Sequence, residues 1–201
     1  MAVVGQEMVN PITRERFVWR ETAESTGGGY CEFDLHLGEG AVVAMPHKHP
    51  HQTEQFCVKS GTLRLRIGRQ EETLRAGDER TVAAGTPHAW GNIGAGDAHV
   101  VVRLTPALRV EDFFETFCGL GRDGKLSSSG MPRNPLQFAV WAFDFRREVA
   151  LPSPVAQALA LPLVALVAVI GRLSGYRSRY PRYAQQRHDS PTAETEPQRT
   201  R

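Results

Sequence analysis

GAVVAMPHKHPHQTEQFCVKSG, residues 40–61, is the stretch that decides the fold of this chain. His47 and His49 are separated by one residue, so on an extended strand both side chains leave the same face. Glu54 follows after a short connection. Two imidazoles and a carboxylate at this spacing indicate a metal site.

A second stretch, GDERTVAAGTPHAWGN at residues 77–92, supplies one more imidazole, that of His88. Three imidazoles and one carboxylate are the ligand set of a divalent transition metal that keeps positions open for water or substrate. The alternative, four polar residues that bind nothing, is a poor explanation of this spacing on strands. The predicted metal ligands are His47, His49, Glu54 and His88.

The two stretches resemble the two motifs of the cupin superfamily. The first motif reads H-x-H, four residues, Glu, six residues, Gly, and the second reads G-x5-P-x-G-x2-H-x3-N. The chain departs from them twice: six residues instead of five separate Gly40 from His47, and Ala83 stands where the motif has Pro. The matching positions outside the ligand set are Gly61, Gly77, Gly85 and Asn92.

The resemblance implies a fold, a cofactor and a range of activities. The fold is a small antiparallel β-barrel or jelly roll, here a single-domain cupin over residues 12–106, and the strand patterns agree with it. The cofactor is one divalent ion of Fe, Mn, Ni, Cu or Zn. The implied activities are dioxygenation, isomerisation, decarboxylation and cyclisation of small molecules, and the implied assembly is a homodimer.

Outside the barrel the sequence predicts three further regions. Residues 1–11 show no periodicity, which predicts a loose N-terminal arm. Apolar residues recur at helical spacing over residues 107–184, which predicts a helical extension. Residues 185–201 have almost no apolar side chain, which predicts a disordered tail. The predicted helices cover residues 110–120, 134–149 and 153–173.

Composition narrows the class of protein. The net charge of the 201 residues is +2, too mild to indicate nucleic-acid binding. Cys31, Cys57 and Cys118 are scattered and form no C-x-x-C, which is typical of reduced thiols in a cytosolic protein. The first residues lack a basic start followed by an apolar run. We therefore expect a cytoplasmic protein.

One apolar run complicates that expectation. It begins at Leu151, ends at Gly171 and contains no charge. A run of this length is about long enough to cross a bilayer. Gln157 and Pro162 interrupt it, so we favour a helix buried against the barrel or a partner subunit. Association with a membrane surface is the second alternative, and a true span the third. Arginines follow the run at positions 172, 177, 179 and 182.

We expect a metal-dependent enzyme that acts on a small organic molecule. The alternatives are a cupin that binds a metal or small ligand for sensing or storage, and a scaffold protein that acts through its helical tail. The sequence identifies no catalytic acid or base. Glu32, Asp34 and Arg103 are charged positions on strands, and a solvated face explains each of them equally well. His51 follows Pro50, which favours a role beside the site over ligation.

Overall fold

The computed structural model describes residues 2–41 and 45–184 of the chain. It contains nine strands and four helices among those residues. The strands are β1 (Glu7–Asn10), β2 (Glu15–Glu21), β3 (Cys31–Leu37), β4 (Thr53–Ser60), β5 (Thr62–Ile67), β6 (Gln70–Arg75), β7 (Glu79–Val82), β8 (His88–Asn92) and β9 (Ala98–Thr105). The helices are α1 (Val110–Arg122), α2 (Pro135–Asp144), α3 (Pro154–Leu173) and α4 (Pro181–Ala184).

The strands form two antiparallel sheets. One has six strands in the order β1-β2-β3-β9-β4-β7, and the other has three in the order β6-β5-β8. The main core cluster takes side chains from both sheets, for example Phe33 and Val100 from the first and Leu63 and Leu65 from the second. The predicted mainly-β fold, a small barrel followed by helices, is confirmed.

Strand β3 shows how the sequence directs one face inward. Cys31, Phe33, Leu35 and Leu37 alternate with polar residues, and each is at most 1% exposed. Full burial of a side chain of this kind contributes about 1.5–3 kcal/mol to stability as an upper estimate. The apolar side of β3 therefore fixes its register against β2 and β9.

Helix α1 covers an aromatic part of this core. The ring of Phe114 lies 4.6 Å from that of Phe17, 5.3 Å from Phe33 and 6.4 Å from Trp19, measured between centroids. Such tilted aromatic pairs add stability beyond the area they bury. The first helix of the extension is thus joined to the barrel through its core.

Two edge strands carry little signal in their own residues. The prediction of a loose arm over residues 1–11 is wrong for β1, which pairs with β2 from Glu7↔Val18 to Asn10↔Glu15. The polar strand β6 pairs with β5 along its whole length, although Leu74 is the one core residue it contributes. Neither sequence shows a clear alternation, because both strands lie at sheet edges. The predicted disordered tail, 185–201, lies outside the described residues.

The three predicted helices are present, with shorter bounds for the second. Asn134 caps α2 by accepting hydrogen bonds from the amides of Leu136 and Gln137, and Ser153 caps α3 by accepting from Ala156. Helix α3 packs on α2, where Ala139, Val140 and Ala168 are buried. Burial of this helix against the barrel, which we favoured as one possibility, is therefore wrong.

Most of α3 faces away from the protein. Leu159, Leu163 and Leu166 are 77%, 64% and 60% exposed. By length and composition this helix could cross a membrane, and no second helix in the described ranges could.

Candidate metal centre

Backbone pairing brings the predicted ligands together. His47 and His88 exchange two backbone hydrogen bonds: the amide of His47 donates to the carbonyl of His88 at 3.0 Å, and the reverse bond is 2.8 Å. The carbonyl of His49 accepts from the amide of Gly85 at 2.8 Å. Glu54 lies on β4 opposite Leu104 of β9. His47, His49 and Glu54 of the first stretch are thereby brought next to His88 of the second.

The four candidate ligand atoms lie within 4.8 Å of one another. Nε2 of His88 is 2.7 Å from Oε2 of Glu54, and Nε2 of His49 is 3.3 Å from the same oxygen. The imidazole rings of His47 and His88 are 4.4 Å apart between centroids. One ion could contact all four side chains after small adjustments.

The second ring nitrogen of each histidine faces a backbone carbonyl. Nδ1 of His49 lies 2.6 Å from the Glu148 oxygen, and Nδ1 of His88 lies 2.9 Å from that of Thr86. For His47 the partner is Met45, at 3.3 Å. Because a carbonyl can only accept, these contacts assign the proton to Nδ1. In the neutral rings the lone pair then belongs to Nε2, as a metal ligand requires.

The electrostatics of the cluster also suit a cation. Burial, with His49 and His88 close by, lowers the pKa of His47 to about 3. Burial alone would raise the pKa of Glu54, but the neighbouring histidines outweigh it and hold that pKa well below its usual range. Burial likewise opposes protonation of His88, yet contact with Glu54 raises its pKa. A neutral His47 beside an ionised Glu54 is a donor set ready for a metal.

The donor atoms lack other partners. Nε2 of His49, Oε2 of Glu54 and Nε2 of His88 are buried and have no hydrogen bond of acceptable geometry among the described residues. Buried polar atoms without partners are costly unless something satisfies them. The residues present therefore fit a divalent transition metal.

The helical extension contributes a part of the site that sequence reasoning missed. The segment after α2 returns to the barrel, where Lys48 and Ala150 exchange backbone hydrogen bonds of 2.9 and 3.1 Å. Glu148, 2% exposed, supplies the carbonyl that faces His49. Its side chain also accepts from the amide of Arg109 at 3.3 Å. A backbone carbonyl ninety-nine residues from its partner leaves no signal in the sequence.

The charged strand positions do not join the cluster. Glu32 binds Arg103 and Arg20, and Asp34 binds Arg20 and His99, on the face of β3 opposite the core. The solvated-face interpretation of these residues is the better one. His51, which was not expected to be a ligand, is exposed and outside the cluster.

Two further motif residues hold the frame of the site. Asn92 at the end of β8 donates from Nδ2 to the carbonyls of Leu37 and Gly96, at 3.1 and 2.7 Å. Gly61 has a φ of +79°, and a β-carbon there would lie 2.7 Å from the α-carbon of Ala98. The side-chain amide of Asn92 thus connects neighbouring segments by hydrogen bonds, and the absence of a side chain at Gly61 allows the backbone of Ala98 to approach closely.

The comparison with protein families agrees with this geometry. A family model described as "Cupin domain" matches residues 33–103, which include all four predicted ligands. These residues form a cupin domain. The search of curated proteins finds no match.

Solved structures similar to the chain include three of different description. KdgF from Halomonas sp. is 16% identical over 48% of this chain and 84% of its own, with a TM-score of 0.43. A sugar phosphate isomerase of the cupin superfamily from Silicibacter pomeroyi is 23% identical over 45% and 59%, with a TM-score of 0.40. A "predicted oxalate decarboxylase" from Thermotoga maritima is 17% identical over 53% and 99%, with a TM-score of 0.47. Similarity at this level carries no argument about substrate or reaction.

Proposed function

We propose that this cupin binds one divalent transition metal through His47, His49, Glu54 and His88 and uses it as an enzyme on a small organic molecule. The observation that carries the proposal is the shared tautomer. Three Nδ1 atoms face backbone carbonyls, which leaves three Nε2 atoms to bind a metal, and the four side chains offer ligand atoms within 4.8 Å of one another. We further propose that the protein acts in the cytoplasm.

When bound, such an ion acts as a Lewis acid and orients a coordinating substrate at the position that the protein leaves open. Phe56 and Trp90 are the second residues after Glu54 and His88 on β4 and β8, so strand alternation directs their side chains to the same face as those ligands. Phe56 is 1% exposed, and its ring lies 6.2 Å from that of Trp90. Apolar walls exclude water and strengthen electrostatic interactions at the site. They favour a compact, partly apolar substrate over a highly charged one.

The alternative function is binding without turnover. Glu32 and Arg103 lie on the sheet face opposite the core and offer no acid or base to the metal cluster. A protein that only binds a ligand would need the same metal ligands but no catalytic acid or base. Retention of a small ligand without chemical change would support this alternative.

The experiment that separates the two functions uses protein loaded with each candidate metal. Small acids, ketones, phenols and sugar derivatives are offered, while product formation and O₂ uptake are followed. The enzyme proposal predicts turnover that requires the metal and disappears in His49→Ala. Stoichiometric binding of a compound that is recovered unchanged, with every metal tested, would contradict it.

A further inference from the structure

Helix α3 carries an apolar surface that nothing described in the structure covers. The helix has no charged residue before Arg172, whereas a helix side that faces solvent normally carries charges. We call this surface the α3 seam. The seam consists of Leu159, Leu163, Leu166, Ile170 and Leu173, which are 77%, 64%, 60%, 47% and 84% exposed.

The opposite side of α3 is fixed against α2. Ala168 is fully buried, and a β-carbon on Gly171 would lie 2.7 Å from the side chain of Val140 and 2.9 Å from the carbonyl of Leu136. Such close approach holds the orientation of α3. Because α3 is held in this orientation by its packing on α2, the seam faces outward.

The spacing of the seam indicates its partner. From Leu159 to Leu173 the residues follow one another at intervals of four, three, four and three. This is the a/d repeat with which one helix packs its side chains between those of another. Val155 and Val169 flank the seam, are 67% and 51% exposed, and widen it to the width used in helical bundles.

We propose that the seam binds the seam of a second copy of this chain, in antiparallel orientation about a two-fold axis between Leu163 and Leu166. With the two α2 helices, the pair would form a four-helix bundle that joins two barrels. This assembly stands independently of the proposed metal chemistry, because α3 and the metal cluster share no residue.

Charge placement favours the antiparallel orientation. Arg177 follows the apolar part of α3 at its carboxyl end, where Arg172 is ion-paired with Asp144 of α2, and the amino end carries no charge. A parallel pair would bring the two Arg177 side chains to the same end. An antiparallel pair separates them by the length of the helix, roughly 25–30 Å, which is several screening lengths at physiological salt.

The area of the surface agrees with a dimer of modest strength. Seven apolar side chains about two-thirds exposed would remove on the order of 500 Å² per copy from water. The total, on the order of 1,000 Å², reaches the lower bound for a specific interface. Burial of the seam with its two flanking valines therefore accounts for an interface without any other contact.

Two other occupants fit less well. Residues 185–201 contain no large apolar side chain, so they offer nothing that would bury the seam. A helix that lies on a lipid surface normally has a polar face rich in Lys and Arg. The other side of α3 is instead packed on α2 and includes Ala168 and Gly171. A second copy is the occupant that these observations favour.

The first test is the mass of the full-length protein by light scattering at about 10 µM. The proposal predicts twice the mass of one chain. Leu163→Glu with Leu166→Glu places four like charges at the two-fold axis, so the dissociation constant should rise roughly a hundredfold or more. Ser128→Glu with Ser129→Glu adds the same two charges per chain at exposed positions outside α3 and should remain dimeric. A monomeric parent protein, in solution or on phosphatidylglycerol vesicles, would overturn the proposal.

The second test measures orientation by disulfide formation in a Cys57→Ser background. In the antiparallel pair residue 159 of one copy lies opposite residue 170 of the other. Leu159→Cys and Ile170→Cys proteins, one carrying a larger tag, are mixed and oxidised. Disulfides between the two variants should dominate, and disulfides within each variant alone would refute the antiparallel arrangement.

Discussion

The imidazole of His49 donates a 2.6 Å hydrogen bond to the backbone carbonyl of Glu148. The donor belongs to the barrel, and the acceptor to the helical extension. Hydrogen bonds of this kind fix the orientation and the tautomer of a metal-binding histidine. The extension is therefore a part of the candidate metal centre and more than an appendage.

The first prediction concerns this connection. Ala150→Pro removes the amide that donates to the Lys48 carbonyl at 2.9 Å, while every candidate ligand stays in place. The segment that supports His49 should loosen, and metal affinity should fall by roughly tenfold or more. Competition with a chromophoric chelator measures the affinity. Ala150→Gly keeps the amide and is the matched control; equal affinity of the two variants would show that the support is unimportant.

The second prediction concerns the close approach at Gly61. An added β-carbon would meet backbone atoms of Asp97 and Ala98 at 2.7–2.8 Å, whereas one on Gly77 would meet nothing within 4 Å. Both glycines have positive φ, so both alanine variants carry a backbone strain of about 1–2 kcal/mol. Gly61→Ala should lose an additional ~1–3 kcal/mol from overpacking.

Urea unfolding of the two glycine variants at one pH gives the comparison. The strain common to both positions cancels, and the difference reports the contact with Ala98. If Gly61→Ala and Gly77→Ala lower the free energy of unfolding equally, the backbone at Ala98 moves away from residue 61 at little cost.

The third prediction is a pH dependence of stability. Burial raises the pKa of Glu15 from 4.5 to about 7, although a hydrogen bond from Thr13 acts in the opposite direction. Between these values the folded chain keeps a proton that the unfolded chain loses, so stability falls as pH rises from about 4.5 to 7. The loss is on the order of 3 kcal/mol.

Glu15→Gln removes this titration. Its free energy of unfolding relative to the parent should therefore increase between about pH 4.5 and pH 7 and stay constant above. Glu39→Gln, at an exposed position, is the control with the same change of charge. If the curves of parent and Glu15→Gln run parallel across this range, the carboxyl of Glu15 is ionised in the folded protein.

The sequence was sufficient for the parts of the site that depend on local spacing. His47 and His49 belong to one short stretch, and the position of His88 after its turn follows from a motif. Strand alternation also predicted the inward face of β3. Patterns of this length are visible because a strand repeats every two residues.

Other features depended on contacts between distant residues. The carbonyl of Glu148 has no side-chain signature, and its partner His49 lies in another element. Strand β6 is recognisable only through its pairing with β5, since its own residues are mostly polar. Helix α3 is apolar on all sides in the sequence, and only its packing on α2 decides which side remains exposed.

Metal content tests the central claim most directly. Protein purified without added metal, and then offered one equivalent of each candidate ion, is analysed by mass spectrometry for bound metal per chain. We predict about one ion for the parent and for His51→Ala, and almost none for the double variant His49→Ala, His88→Ala, with an unchanged far-ultraviolet circular dichroism spectrum. Undiminished metal in the folded double variant, or no metal in the parent with any of these ions, would contradict the account.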